Sequence, residues 1–231
     1  MTGSDAGTII AGCTALLLAA CAGGEPRTSR PAESAPAASV ADSARPADQP
    51  TVVFLGTSLT AGLGLDPDSA YPAVVQRLID SAGRHFTVVN AGVSGESSAG
   101  ALRRIDWILK SPPAVLVIET GANDGLRGQN PDSTRANIQA IIDRVRTTAP
   151  RTRIILAGME APPNLGLEYV RRFRTLFPDL ARANHITLIP FLLYRVGGVD
   201  SLNQPDGIHP NAAGARIVAQ NVWKVLEQVL P

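Results

Sequence analysis

Short apolar runs alternate along the chain with stretches whose apolar residues recur at helical spacing. The runs are rich in β-branched residues and too short for helices, so each of them predicts a strand. The predicted strands cover residues 52–55, 86–90, 114–119, 153–158 and 186–190. The stretches between and after them predict helices at residues 71–81, 98–110, 131–148, 167–184 and 211–230.

Strands that alternate with helices predict an α/β fold, in which a parallel sheet carries helices on both faces. Right-handed crossover connections then place the carboxyl ends of all strands at one edge of the sheet. Polar or glycine-rich segments follow four of the predicted strands, at Ser58, Gly95, Asn123 and His209. We therefore expect these four residues to converge on one site.

The segment Gly56-Thr57-Ser58 follows the first predicted strand directly. A hydroxyl at the carboxyl end of a central strand lies where open parallel sheets bind their ligands. A glycine-rich turn with a helix-capping serine would explain the same residues. A phosphate-binding loop is a third alternative, but the Gly-Lys-Ser/Thr sequence that completes that motif is missing. This segment alone leaves the three alternatives open.

A serine hydroxyl becomes a strong nucleophile only when a base removes its proton and a third group orients that base. Of the three histidines, His209 follows Asp206 by three residues in a turn before the last predicted helix. That spacing lets the carboxylate reach the imidazole nitrogen that faces away from the serine. His85 and His185 each precede a predicted strand, and we expect both to lie at the surface.

A tetrahedral intermediate also needs hydrogen-bond donors directed at its negatively charged oxygen. Asn123 offers a side-chain amide, Gly95 a backbone N–H in an open loop, and Ser58 its own N–H. Glycine and asparagine in loops are individually most often turn residues. Together with Ser58 and His209, however, they predict a hydrolase site.

These segments resemble the successive sequence blocks of the SGNH/GDSL hydrolase family. The blocks are Gly56-Thr57-Ser58-Leu59, Gly95, Gly121-Ala122-Asn123-Asp124 and Asp206-Gly207-Ile208-His209, in the order that the family shows. Within the family, the chain is most similar to the bacterial thioesterase/protease/lysophospholipase and arylesterase group. The resemblance covers residues 51–231 and implies a flavodoxin-like three-layer α/β/α sandwich with a five-stranded parallel sheet.

The resemblance also implies a role for each matching residue. Ser58 would be the nucleophile, His209 the general base and then the general acid, and Asp206 the residue that orients His209. The N–H groups of Ser58 and Gly95 and the side chain of Asn123 would form the oxyanion hole. No cofactor and no metal ion are implied.

One loop and two departures from the family pattern complete the prediction. By the same resemblance, the loop of Pro163, Asn164, Leu165 and Gly166 would bind the acyl chain of the substrate. Thr57 stands where the family usually has Asp, which leaves the hydrogen bonding around the nucleophile to be determined. Ala122 replaces a glycine that is often found there, which is a small change.

The amino-terminal part of the chain predicts export. Residues 8–20 form an apolar stretch that is shorter than the roughly 20 residues of a membrane-spanning helix and typical of a secretory signal. Its last residues, Leu18-Ala19-Ala20-Cys21, resemble the lipobox of bacterial lipoprotein precursors, which implies cleavage before Cys21 and lipidation of its thiol. No Lys or Arg precedes the stretch, in contrast to the usual signal. We assign residues 1–21 to this signal and residues 22–50, dominated by Ala, Pro and Ser, to a disordered linker.

Cysteine usage and charge exclude several classes of protein. The only cysteines, Cys13 and Cys21, lie in the predicted signal, so the following domain has neither a disulfide framework nor a cysteine-ligated metal. The formal net charge of +1 gives no sign of nucleic-acid binding, which usually needs a basic surface. The substrate is therefore expected to be recognised by shape and apolar contact.

The sequence thus predicts a monomeric exported esterase, periplasmic or anchored to the membrane through a lipid on Cys21. It would hydrolyse acyl esters or thioesters through an acyl-serine intermediate, and export favours lysophospholipids or other short and medium acyl esters over acyl-CoA. A carbohydrate deacetylase of the same family is the alternative, although 4% aromatic residues offer little for a sugar-binding platform. A non-catalytic flavodoxin-like binding module would leave the pair of Asp206 and His209 unexplained.

Overall fold

The computed structural model describes residues 49–230. The predicted signal with Cys21 and residues 22–48 of the predicted linker lie outside the described residues, and so does Pro231. Among the helices of residues 49–230, none combines the length and the apolar character needed to cross a membrane.

Five strands form one sheet, and every neighbouring pair in it is parallel. The strands are β1 (Thr51–Gly56), β2 (Thr87–Gly92), β3 (Val115–Ile118), β4 (Arg153–Ala157) and β5 (Thr187–Ile189). Their order across the sheet is β2-β1-β3-β4-β5, which is the order of flavodoxin-like doubly wound sheets. The predicted fold class and all five predicted strands are therefore confirmed.

Seven α-helices lie within the described residues. They are α1 (Ser58–Ala61), α2 (Tyr71–Ser81), α3 (Ser98–Ile108), α4 (Ala122–Leu126), α5 (Pro131–Thr148), α6 (Leu167–Ala183) and α7 (Ala212–Val229). Helix α2 packs against α7, whereas α5 packs against both α3 and α6. Right-handed crossovers to the two sides of β1 put these two groups on opposite faces of the sheet, which gives the three layers.

The helix boundaries follow from capping residues in the sequence. The side chain of Asn211 accepts hydrogen bonds from the amides of Ala213 and Gly214 and so begins α7. Ser97 and Asn130 cap α3 and α5 in the same manner. Helix α4 is too short to show a helical period, and the apolar pattern does not predict it.

The hydrophobic core lies on both sides of the central strands. The side chains of β3 are fully buried, and those of β4 are buried from Ile154 onward. Ile138, Ile141 and Ile142 of α5, which the helical spacing places on one face, are fully buried as well. Strand β2 is less buried because it is an edge strand with only one neighbour. The core fixes the sheet rigidly, and the loops after the carboxyl ends of its strands carry the polar residues described next.

Candidate active site

Ser58 lies directly after β1 and is the first residue of α1. Only 8% of its surface is exposed, so its hydroxyl sits at the bottom of a depression. The turn into the helix requires glycine at position 56, because a Cβ atom there would lie 1.9 Å from the hydroxyl oxygen of Thr60. As the first residue of a helix, Ser58 has a backbone N–H without an intrahelical acceptor.

Asp206 and His209 form a compact turn before α7. The Asp206 Oδ2 atom lies 2.7 Å from His209 Nδ1, while Oδ1 accepts the backbone N–H groups of Ile208 and His209, both at 3.0 Å. These hydrogen bonds lower the pKa of Asp206 to about 2, and the one from the His209 amide has the largest effect. The carboxylate therefore remains charged and holds the imidazole in one orientation. Gly207, with a φ of 75°, allows the tight turn.

The turn brings the imidazole to the serine. His209 Nε2 lies 2.8 Å from the Oγ of Ser58, so a continuous hydrogen-bonded row runs from Ser58 through His209 to Asp206. This is the geometry that base-assisted nucleophilic attack requires. The other two histidines, His85 and His185, are exposed, as the sequence predicts.

The two remaining residues predicted for the oxyanion hole, Gly95 and Asn123, follow β2 and β3 in the chain. Asn123 lies in α4, which starts after Gly121 in a left-handed conformation. One hydrogen of its Nδ2 is donated to the backbone oxygen of Glu96 at 3.0 Å, which leaves the second for a ligand. Gly95 is exposed and left-handed, and its carbonyl accepts a hydrogen bond from Arg127.

A pocket of about 310 Å³ opens beside the serine and the imidazole. Most of its walls are apolar, with contributions from Leu126, Met159, Phe191 and Ile208 among others. Of the loop predicted to bind substrate, Pro163 lines this pocket, whereas Asn164, Leu165 and Gly166 do not. Leu165 instead packs against the hydrophobic core. Within residues 49–230, no group of three or more His, Cys, Asp or Glu side chains is arranged to hold a metal ion.

Comparison with known proteins shows to which family the chain belongs. The sequence model of the GDSL-like lipase/acylhydrolase family matches residues 54–217. The chain belongs to this family. Esterase TesA of Pseudomonas aeruginosa is 38% identical over 181 residues, which cover 78% of this chain and 89% of that protein.

Two further comparisons agree with this. Thioesterase 1/protease 1/lysophospholipase L1 of Escherichia coli K12 is 33% identical over 187 residues, covering 80% of this chain and 88% of that protein. The crystal structure of the psychrotrophic esterase EstA from Pseudoalteromonas, inhibited by monoethylphosphonate, superposes with a TM-score of 0.73 at 29% identity. The superposed region covers 77% of this chain and 97% of the EstA chain. The predicted family and the predicted hydrolysis of acyl esters by a serine hydrolase are confirmed.

The structure shows what replaces the aspartate of the family's Gly-Asp-Ser-Leu signature. Thr57 is 1% exposed, and its hydroxyl donates to the carboxylate of Glu119, at 3.0 Å from Oε1 and 3.1 Å from Oε2. Its backbone N–H donates to Glu119 Oε2 at 2.7 Å. The residue before Ser58 is thus tied to the end of β3 by both its backbone and its side chain.

An ion pair supports the loop of Gly95, which is predicted to contribute to the oxyanion hole. Arg104 of α3 binds the carboxylate of Glu96, and the same guanidinium donates to the carbonyl of Gly56 at 3.2 Å. The backbone oxygen of Glu96 in turn accepts from Asn123. One arginine therefore connects the end of β1, the loop of Gly95 and the side chain of Asn123.

Asp124 ties α4 to α3 and α5 through hydrogen bonds. Its carboxylate is fully buried and accepts from the amide and hydroxyl of Ser98, at 2.8 and 2.5 Å, and from the hydroxyl of Thr134 at 3.3 Å. Sequence reasoning assigned no role to Asp124, Glu119 or Arg104. A charged residue at the end of an apolar strand is the one signal that could have drawn attention to Glu119, but its partner Thr57 is 62 positions away.

Proposed function

We propose that Ser58 attacks the carbonyl carbon of an acyl ester while His209 Nε2 removes the proton from its hydroxyl. The observation that carries this proposal is the hydrogen-bonded row from Ser58 Oγ through the imidazole to Asp206. The charged carboxylate stabilises the imidazolium that forms and keeps Nδ1 protonated.

The developing negative charge on the substrate oxygen would be stabilised by the N–H groups of Ser58 and Gly95 and by the free hydrogen of the Asn123 amide. When the tetrahedral intermediate collapses, the ester C–O bond breaks and His209 returns the proton to the leaving alcohol. Water then attacks the acyl-serine with the same histidine as base, which releases the acid and regenerates the hydroxyl.

The proposed substrates are short or medium acyl esters whose acyl group occupies the apolar pocket beside Ser58. The pocket volume of about 310 Å³ and walls such as Leu126 and Met159 suit a hydrocarbon chain better than a charged group. Among the described residues that line it, Phe191 is the only Phe, Tyr or Trp, which gives a sugar ring little to stack on. Lysophospholipids and simple alkyl or aryl esters fit this chemistry, and thioesters share the same acyl-serine intermediate.

The test is hydrolysis of p-nitrophenyl esters from acetate to palmitate by residues 50–231, with Ser58→Ala as the matched inactive variant. We expect turnover by the wild type, none above background by the variant, and a maximum rate at short or medium chain length. Activity on acetate alone, together with release of acetate from acetylated glycans, would support a deacetylase instead. Equal rates for wild type and variant would refute Ser58 as nucleophile.

We further propose that the protein is exported and carries a lipid on Cys21, with residues 22–50 as a tether for a monomeric catalytic domain. This rests on the apolar stretch at residues 8–20 and its ending in Leu18-Ala19-Ala20-Cys21. Cys21→Ser should abolish labelling by radioactive fatty acid and move the protein from the membrane fraction to the soluble fraction. Cys13→Ser, inside the same signal, is the matched control and should do neither.

A further inference from the structure

The buried carboxylate of Glu119 contacts the segment from Thr57 to Thr60, the nucleophile loop, which contains Ser58. Glu119 follows β3, is 0% exposed, and accepts hydrogen bonds from the Thr57 backbone and from the hydroxyls of Thr57 and Thr60. The Thr60 hydroxyl is 2.8 Å from Glu119 Oε2. Within residues 49–230, no Lys, Arg or His side chain forms an ion pair with this carboxylate. Its charge is therefore balanced by hydrogen-bond donors alone.

The hydrogen bonds hold the residues on both sides of Ser58. Thr57 immediately precedes the serine, and Thr60 lies in the same short helix. The Thr60 hydroxyl is also 2.7 Å from the hydroxyl of Tyr71, which ties the loop to α2. A shift of the Thr57 peptide would move both the Ser58 N–H and the direction of its hydroxyl. Displacements of about 1 Å at a reacting group cost on the order of a hundredfold in rate.

An ionised and a protonated Glu119 hold this loop differently. The ionised carboxylate accepts hydrogen bonds only, which matches the three donors that surround it. A proton on either oxygen turns that oxygen into a donor, so that the threonine hydroxyls must rotate and one of the bonds is lost. Burial raises the pKa of Glu119 to about 7, against the hydrogen bonds from Thr57 and Thr60, which lower it. Both forms are therefore populated near neutral pH.

We propose that Glu119 is a positioning residue for the nucleophile: its carboxylate fixes Thr57 and thereby the hydroxyl and N–H of Ser58, and its protonation loosens them. This inference rests on the proposed role of Ser58. Glu119 does not touch the substrate pocket, whose lining includes Thr57 and Ser58 but not the carboxylate.

The other charged or titratable groups around the loop are neutral or interact with other partners. Tyr71 stays neutral, because burial and the charge of Glu119 raise the pKa of its hydroxyl well above the usual value. Arg104 is paired with Glu96, and Asp124 is held by Ser98 and Thr134. The imidazole of His209 reaches the loop from the other side, through Ser58. An ionisation that the Glu119 variants remove or shift is thus assigned to this carboxylate.

The experiment measures kcat and KM for p-nitrophenyl butyrate between pH 5 and 9. In the wild type, part of the rise of kcat/KM with pH should come from the ionisation of Glu119. Glu119→Gln should lower kcat about ten- to a hundredfold with KM little changed, and that part of the rise should disappear. Thr57→Val removes one donor to the carboxylate and should shift the Glu119 ionisation to higher pH, whereas Thr57→Ser should return it toward the wild-type position.

Thr120→Val is the matched control. Thr120 is the next residue in the chain and is also buried, but its hydroxyl has no hydrogen-bond partner among residues 49–230. This variant should keep the wild-type pH profile of kcat/KM. If Glu119→Gln does not fold, as judged by circular dichroism, the pair of Thr57 variants still decides the question, because both retain the carboxylate.

Ser58→Ala is measured in parallel so that the two proposals can fail separately. If Ser58→Ala retains activity, the proposed function is wrong, whatever the Glu119 variants do. If Ser58→Ala is inactive but folded Glu119→Gln keeps the wild-type kcat and the wild-type pH profile, the proposed function stands and the inference about Glu119 is overturned. An unshifted profile in Thr57→Val would overturn it as well.

Discussion

The Ser58 hydroxyl oxygen lies 2.8 Å from Nε2 of His209, although the two residues are 151 positions apart in the chain. Ser58 follows the interior strand β1, and His209 lies in the turn before the last helix. The parallel sheet makes them neighbours, because it directs the carboxyl ends of all its strands to one edge.

His209→Ala should lower kcat by about 10⁴-fold or more, because the serine then has no base and the leaving group no acid. The matched control is His85→Ala, which removes an exposed histidine outside the site and should leave kcat unchanged. Steady-state kinetics on p-nitrophenyl butyrate checks both variants. Substantial activity in His209→Ala would mean that another group accepts the proton.

Asn123→Ala should lower kcat by about 10²–10³-fold with the fold retained, as is found for single oxyanion-hole donors. KM should change little, since the donor acts mainly on the charged intermediate. Asn130→Ser is a suitable control, because this exposed residue caps α5 and serine preserves the capping oxygen. An unchanged kcat in Asn123→Ala would remove this side chain from the oxyanion hole.

Leu126→Ala and Ile208→Ala should each raise KM for p-nitrophenyl octanoate about three- to tenfold, because they remove apolar wall from the pocket. The effect on the acetate ester should be much smaller, since a two-carbon acyl group does not extend along these walls. Trp107→Ala is the control, because Trp107 is 68% exposed and does not line the pocket. Equal effects on both esters would place the acyl chain elsewhere.

Stability should depend on pH through Glu119. The folded protein holds this proton up to a pKa of about 7, whereas the unfolded chain releases it near the ordinary value of 4.5. Between these values the folded state binds more protons, so the free energy of unfolding should fall as pH rises and level off above pH 7. Urea unfolding from pH 4.5 to 8 measures this.

In Glu119→Gln the decline attributable to this group should be absent. Glu227→Gln, which changes an exposed glutamate on α7, should keep the wild-type profile and serves as the control. Identical profiles for wild type and Glu119→Gln would show that the carboxylate is already ionised, or never ionised, across this range in the folded protein.

The amino-acid sequence by itself determined the α/β fold, its five strands and its five longer helices. Local periodicity is enough for this prediction. A fully buried strand is apolar along its whole length, and a helix that is buried on one side, such as α5, repeats its apolar residues at helical spacing. The short distance between Asp206 and His209 also enabled a sequence-level prediction of the base and its partner. The order of the motifs along the chain was sufficient to indicate the family.

Only the tertiary structure decided what surrounds these residues. Glu119 meets Thr57, and Arg104 meets Gly56, through contacts that span 62 and 48 positions and leave no local pattern in the chain. The loop of Pro163 and Leu165 shows the same limit: one side chain lines the pocket and the other packs inward, which no periodicity indicates. The physical reason is that periodicity records whether a side chain is buried, whereas its partner is set by how distant strands and loops pack together.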